Sequence, residues 1–192
     1  MIGLPQLIER FNVEMARAAA AGVDEPTAVA LATTAGRPSV RMVLLKEADA
    51  RGFVVYTNIE SRKGRELAMN SWGALCFWWG PISTQVRVEG RVELVTSAEA
   101  DAYYAIRPRA KQIGAWASSQ STPIESRDAL LARVAAIEKK YGDGPIPRPP
   151  HWTGIRVVPD RFEFWYGHED RLHERFEYRL ERGIWSERIL AP

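Results

Sequence analysis

Cysteine occurs once in the 192 residues, at Cys76, so the chain cannot close an internal disulfide. Cys76 lies in the apolar run Ala74-Leu75-Cys76-Phe77-Trp78-Trp79 and reads as a buried, inert thiol. The three histidines are scattered, so no metal-ligand spacing exists and no metal is expected. No apolar stretch is long enough to span a bilayer, which excludes a helical membrane anchor. Without a disulfide or a signal peptide, the expected compartment is a reducing cytoplasm. A large charge of one sign is also missing: 26 Lys and Arg against 24 Asp and Glu leave +2, which argues against a dedicated nucleic-acid binder. There is no Gly-Xaa-Ser-Xaa-Gly elbow, Walker loop or dinucleotide-binding glycine motif. Any phosphate is expected to be held by side chains from strands.

What remains is an ordinary soluble composition, 46% hydrophobic and 26% charged, at a length that fits one domain over residues 1–192. Seven tryptophans and six tyrosines suit either a tightly packed β core or a flat pocket for a planar ligand. Leu4, Leu7, Ile8, Phe11 and Met15 recur at helical spacing, which predicts a first helix within residues 1–22. Strands are predicted at Thr27–Thr33, Ser39–Lys46, Gly52–Thr57 and Trp72–Trp79, and from Gln85 to Glu93, where polar and valine positions alternate. Ser61 is placed to cap a helix running to about Asn70. A helical excursion follows over 97–141, broken at Pro108 and continued by an amphipathic helix over Glu125–Tyr141. Trp152–Val158, Arg161–Tyr166, Arg171–Leu180 and Ile184–Ile189 read as closing strands. The order suggests an α+β domain, mainly antiparallel β, built on a small barrel.

Basic side chains cluster at chosen places. Arg171, His173 and Arg175 share one face if their segment is extended, which sets two cations around one titratable imidazole. Such a row repels itself unless an anion lies on it. Arg41 and Lys46 differ in parity, so a regular strand sends them to opposite faces. They are either charged strand ends or two separate anion contacts. Arg62 and Lys63 fall in the first turn of the helix after Ser61, where the dipole disfavours cations. Solvated charge is one reading; an incoming phosphate that also uses the free N–H groups is the other. Tyr103, Arg107 and Lys111 follow at i, i+4 and i+8, a solvated helix face or a cation group converging near the turn at Pro108.

Taken together, RMVLLK at 41–46, YTN at 56–58, SRKGREL at 61–67, QVRVEG at 85–90, RPRAKQIGAWASSQS at 107–121 and RLHERF at 171–176 resemble the pyridoxine/pyridoxamine 5'-phosphate oxidase family. The resemblance runs from about Glu25 to the C-terminus. It implies an FMN-binding split barrel with flanking helices, working as a homodimer with FMN at the subunit interface. It implies oxidation of pyridoxamine or pyridoxine 5'-phosphate by O2 to pyridoxal 5'-phosphate, with release of hydrogen peroxide. On the same ground, Arg41, Arg62, Lys63, Gln120 and Ser121 would hold the FMN phosphate region. Met42, Val43, Leu44, Leu45, Lys46, Tyr56, Thr57, Gln85, Trp165 and Arg175 would surround the rest of the cofactor. Lys46, Tyr103 and Arg107 would take the substrate phosphate, with Lys111 where relatives carry a small serine. Arg171 and His173 would be the catalytic pair beside the substrate ring. An arginine that relatives often place before Gln85 is replaced by Thr84, and an N-terminal extension found in some relatives is expected to be missing. Related flavin oxidases of the phenazine-pathway type share RLHER and SRKGREL but are not expected to keep the Tyr103/Arg107 pair. The remaining alternatives are a non-catalytic FMN or pyridoxal-phosphate carrier and a basic, aromatic barrel for single-stranded nucleic acid.

Overall fold

The structure, a computed structural model, describes residues 2–192. Helix α1 (Leu4–Ala20) precedes a hairpin of β1 (Ala28–Ala35) and β2 (Arg37–Leu44). Next come β3 (Glu47–Asp49), β4 (Gly52–Asn58), helix α2 (Arg62–Met69), β5 (Trp72–Trp79) and β6 (Thr84–Leu94). The helical excursion is α3 (Ser97–Ala105), α4 (Arg109–Ala117) and α5 (Arg127–Tyr141). Strands β7 (Trp152–Tyr166), β8 (Glu174–Glu181) and β9 (Ile184–Ile189) close the chain.

All described pairings are antiparallel, in the order β2-β1-β5-β6-β7-β4-β3, with β8 also on β7 and β9 on β8. β7 forms the branch point. One edge runs along β6, while the other pairs first with β4 and then with β8. The two predicted strands around Pro159 are therefore one. A register shift at Glu89/Gly90 absorbs Asp160 opposite it, and a Cβ on Gly90 would lie 2.0 Å from the Val158 carbonyl oxygen. Proline and bulge bend the strand without ending it.

The inward faces follow the alternation read from sequence. Val86 and Val88 of β6 are fully buried, together with Leu31, Phe53, Val55, Phe77, Phe162 and Phe164. Helix α1 plugs this core with Phe11, whose ring centroid is 4.9 Å from Phe53 and 4.8 Å from Phe77. Truncating such a residue costs about 3–5 kcal/mol. Arg10 lies 4.4 Å over the Phe164 ring and donates to the Tyr178 hydroxyl at 2.6 Å, which ties the helix to β7 and β8.

Several local expectations change. Ser61 stands at the helix start, but its hydroxyl donates to the Asn58 carbonyl at 2.6 Å rather than capping α2. Helix α5 carries no buried residue, so its apolar positions do not form a core face. Cys76 is half-buried on the outward face of β5 rather than in the core, and desolvation raises its thiol pKa. The largest change is at Arg171. Asp170 and Arg171 take φ of 55° and 61°, so the chain turns there and β8 begins only at Glu174. Arg171, His173 and Arg175 therefore do not share a strand face, and Leu172 is exposed.

Candidate functional site

A cavity of about 750 Å³ opens between β2, β4, α2 and the α3–α4 corner. Among the described residues six cations line it, Arg41, Lys46, Arg62, Lys63, Arg107 and Lys111, and no carboxylate does. Lys46 and Arg41 reach the same cavity despite their parity. β2 ends at Leu44, Leu45 turns into the core at 3% exposure, and the Lys46 N–H bonds to Val54 on β4. Met42, Val43, Leu44, Tyr56, Thr57, Gln120 and Ser121 also line the cavity. Leu45 is the one member of 41–46 that does not.

One end of the cavity is the start of α2. Gly64 lets this helix sit tightly, since a Cβ there would lie 2.0 Å from the Ile59 carbonyl oxygen. Among the described residues no side chain caps the first turn, so its N–H groups stay available to an anion. Lys63 is buried and donates to Ser61 Oγ at 3.0 Å and Gln120 Oε1 at 2.6 Å. Burial, and then the charge of Arg41, pull its ammonium down to about 8. Arg41 donates to the Leu31 carbonyl at 3.0 Å, to Thr33 Oγ1 at 2.6 Å and to Ser39 Oγ. Both Arg41 and Arg62 meet Glu66, a residue that the sequence reading passed over. The i, i+4 spacing of Arg62 and Glu66 on the expected helix was the signal for it.

The other end is aromatic and cationic. Tyr56 and Tyr103 stack at 4.0 Å, and Tyr56 and Trp152 at 5.2 Å. Burial pushes the Tyr56 hydroxyl up to about 12. Arg107 lies 4.5 Å over the Trp152 ring. Its Nη1 is buried without a hydrogen-bond partner among the described residues, and burial lowers its pKa. Pro108 separates α3 from α4, so Tyr103, Arg107 and Lys111 form no single helix stripe, yet the corner brings all three to the cavity. Trp152 had no local signal in sequence, because only the pairing of β7 with β4 sets it beside Tyr56.

The remaining candidates lie elsewhere. Gln85, Trp165 and Arg175 stand opposite one another across β6, β7 and β8. The His173 ring packs 4.5 Å from Trp165, and Trp78 lies 5.9 Å from Trp165. His173 Nδ1 accepts the His168 N–H at 3.2 Å, which leaves Nε2 to carry the ring proton in the neutral form. Arg175 donates through Nε to Glu163 Oε1 at 2.9 Å. None of Gln85, Trp165, Arg171, His173 or Arg175 lines the cavity, so the structure gathers the sequence candidates into two separate groups.

Comparison with known proteins gives this arrangement a context. A family model described as pyridoxamine 5'-phosphate oxidase matches residues 15–141. One described as the pyridoxine 5'-phosphate oxidase C-terminal dimerisation region matches residues 152–192. A Myxococcus xanthus protein named pyridoxine/pyridoxamine 5'-phosphate oxidase is 56% identical over 190 residues, covering 98% of this chain and 92% of its own. A Synechocystis protein of that name is 48% identical over 185 residues, covering 95% and 86%. Among solved structures, PhzG from Burkholderia lata in complex with tetrahydrophenazine-1-carboxylic acid is similar with a TM-score of 0.91 at 33% identity, covering 96% of this chain and 92% of its own. At 16% identity, a pyridoxamine 5'-phosphate oxidase-related, FMN binding protein from Nostoc punctiforme shares the fold, with a TM-score of 0.75 and coverage of 95% and 97%. Matched along nearly its whole length by these models and relatives, the chain belongs to the pyridoxine/pyridoxamine 5'-phosphate oxidase family.

Proposed function

We propose that this chain is an FMN-dependent oxidase that converts pyridoxamine or pyridoxine 5'-phosphate into pyridoxal 5'-phosphate, with O2 as the final electron acceptor and hydrogen peroxide as the by-product. The observation that carries the reading is the cavity with six cations and no carboxylate. A cofactor phosphate and a substrate phosphate each bring close to two negative charges at neutral pH, and charge-assisted contacts suit them. The volume of about 750 Å³ falls within the range of ligand pockets. The orphaned Arg107 Nη1 and the uncapped start of α2 are unmet donors of the kind an anion satisfies.

Arg62, Lys63, the first turn of α2, Gln120 and Ser121 would hold the FMN phosphate, with Arg41 beside them. Met42 to Leu44, Tyr56 and Thr57 offer contacts for the rest of the cofactor. Lys46, Tyr103, Arg107 and Lys111 form the substrate-phosphate end. When bound, FMN would supply the two-electron redox chemistry. Arg171 would polarise the oxygen or nitrogen on the reacting carbon. His173 would orient that group by donating from Nε2, since its Nδ1 is engaged by the His168 N–H.

These last two residues stand apart from the cavity within one chain. A homodimer that sets the Trp165–His173–Arg175 group of one copy against the cavity of the other would complete the site. Two features support it: the match to a dimerisation region over residues 152–192, and the exposed Val40 and Met42 of β2 at the cavity wall, 68% and 64% accessible. The cytoplasm is the compartment that fits a chain with one cysteine and no internal disulfide. PhzG is a substantial structural relative, but the ligand in its complex is a carboxylic acid, which does not call for a second phosphate end.

The test is direct. The purified protein should be yellow and form peroxide with both phosphorylated vitamers, and be far less active with their dephosphorylated forms. A colourless protein that takes up no added FMN would overturn the reading.

A further inference from the structure

Glu66 is a carboxylate set directly behind a site for anions. It is 8% exposed and does not line the cavity. It accepts from Thr33 Oγ1 at 2.5 Å, Ser39 Oγ at 2.5 Å, Arg62 Nε at 2.8 Å and Arg41 Nη2 at 3.2 Å. The hydrogen bonds from Ser39 and Thr33, with that of Arg62, hold it at about 2, so it stays ionised at any working pH. On charge alone such a group repels a phosphate. Its partners show a different use. Arg62 is tied to Glu66 only through Nε, and both of its terminal nitrogens remain without hydrogen-bond partners among the described residues. Arg41 is the reverse, with its terminal nitrogens engaged by Leu31, Thr33, Ser39 and Glu66. Arg41, Arg62 and Lys63 with Glu66 leave a net charge of +2, the complement of one phosphate dianion.

Resting on the flavin reading above, we propose that Glu66 is a positioning residue for the cofactor phosphate. It holds Arg62 by Nε so that the terminal nitrogens of the guanidinium face the anion, and it anchors Arg41 alongside. A guanidinium held in one orientation loses less freedom on binding than a mobile one.

Glu66→Gln keeps the size and an acceptor oxygen but removes the charge that orders both arginines. FMN and riboflavin, which differ only in the phosphate, are titrated against apoprotein of wild type and variant by quenching of flavin fluorescence. The expected result is an FMN Kd raised ~10-fold in Glu66→Gln, with riboflavin affinity held within about 2-fold. Equal weakening of both flavins would make Glu66 a clamp between α2 and the β1–β2 hairpin and overturn the proposal. Unchanged or tighter FMN binding would make it a repulsive bystander and overturn it too. Should Glu66→Gln not fold, Ser39→Ala removes the hydroxyl shared by Arg41 and Glu66, and a rise of ~3-fold in Kd for FMN alone is expected; an equal change for both flavins overturns the idea again. If wild type binds neither flavin, the functional reading fails and takes this one with it.

Discussion

The cavity and the β6–β8 row handle charge in opposite ways. In the cavity, six cations stand without a lining carboxylate. In the row, each arginine meets a carboxylate: Glu163 takes Arg87 at 3.0 Å and Arg175 at 2.9 Å from the neighbouring strands, and Glu177 takes Arg161 across the sheet and Arg179 along its own strand. Glu163 and Glu177 are buried while their arginine partners stay partly in solvent, so these pairs hold a sheet face together around buried carboxylates. A paired network of this kind needs no ligand for its charges, even with Arg87 Nε and Glu163 Oε2 left without hydrogen-bond partners among the described residues. An unbalanced one carries a repulsion that an anion relieves, and the pull of Arg41 on the Lys63 ammonium is the local sign of it. The cavity therefore has the character of a binding half. The row presents Trp165, His173 and Arg175 beside a turn with left-handed backbone at Asp170 and Arg171.

The sharpest way to break this comparison is to damage each half separately. Arg171→Ala or His173→Ala should slow flavin reduction ~100-fold in single-turnover measurements while the protein stays folded and yellow. Full-rate reduction in both would remove the row from the chemistry. If each site draws one half from each copy, mixing His173→Ala with Arg107→Ala subunits should restore about a quarter of wild-type activity, because half of the dimers are mixed and each has one intact site. No recovery would mean that both halves come from one chain.

Next in size is Arg107→Ala alone. It removes the guanidinium whose Nη1 lacks a partner, and should raise KM for pyridoxamine 5'-phosphate ~10- to 100-fold with FMN binding unchanged. Equal loss of FMN affinity would merge the two ends of the cavity into one.

The smallest effect is with pH. Free Lys63 titrates at about 8, and a bound dianion favours its charged form. FMN binding should be strongest between about pH 6, where the phosphate gains its second charge, and the Lys63 value. Above that, binding takes up a proton, and Kd should rise by up to about tenfold per pH unit. Calorimetry in buffers of different ionisation heat would detect the proton, and a flat profile would place Lys63 away from the phosphate. The stability of the apoprotein has the opposite sign. Folding depresses Lys63 from 10.5 to about 8, so its cost is full below the lower value and fades toward the upper.

Much of this was visible in the chain. β5 and β9 span the residues expected, because alternation is a local property of the backbone. Thr96 caps α3 through Glu99, and Pro108 parts α3 from α4 as its missing N–H requires. Arg62 and Lys63 at a helix start left solvated charge and an anion site both open from dipole arguments, and both side chains line the cavity. The turn at Arg171 was missed, since Arg171-Leu172-His173 reads as a regular alternation and nothing local announces left-handed backbone at two non-glycine residues.

Local pattern in the amino-acid sequence thus determined most of the strands and the helix breaks and marked the basic clusters, because period, proline and charge act over a few residues. Only the tertiary structure decided that Lys46 and Arg41 share a cavity, that Trp152 lies under Arg107, that Glu66 ties two arginines, and that Gln85, Trp165 and Arg175 stand apart from the rest. Each of those facts depends on which distant strands pair and in what register, and that is set by packing the whole core at once.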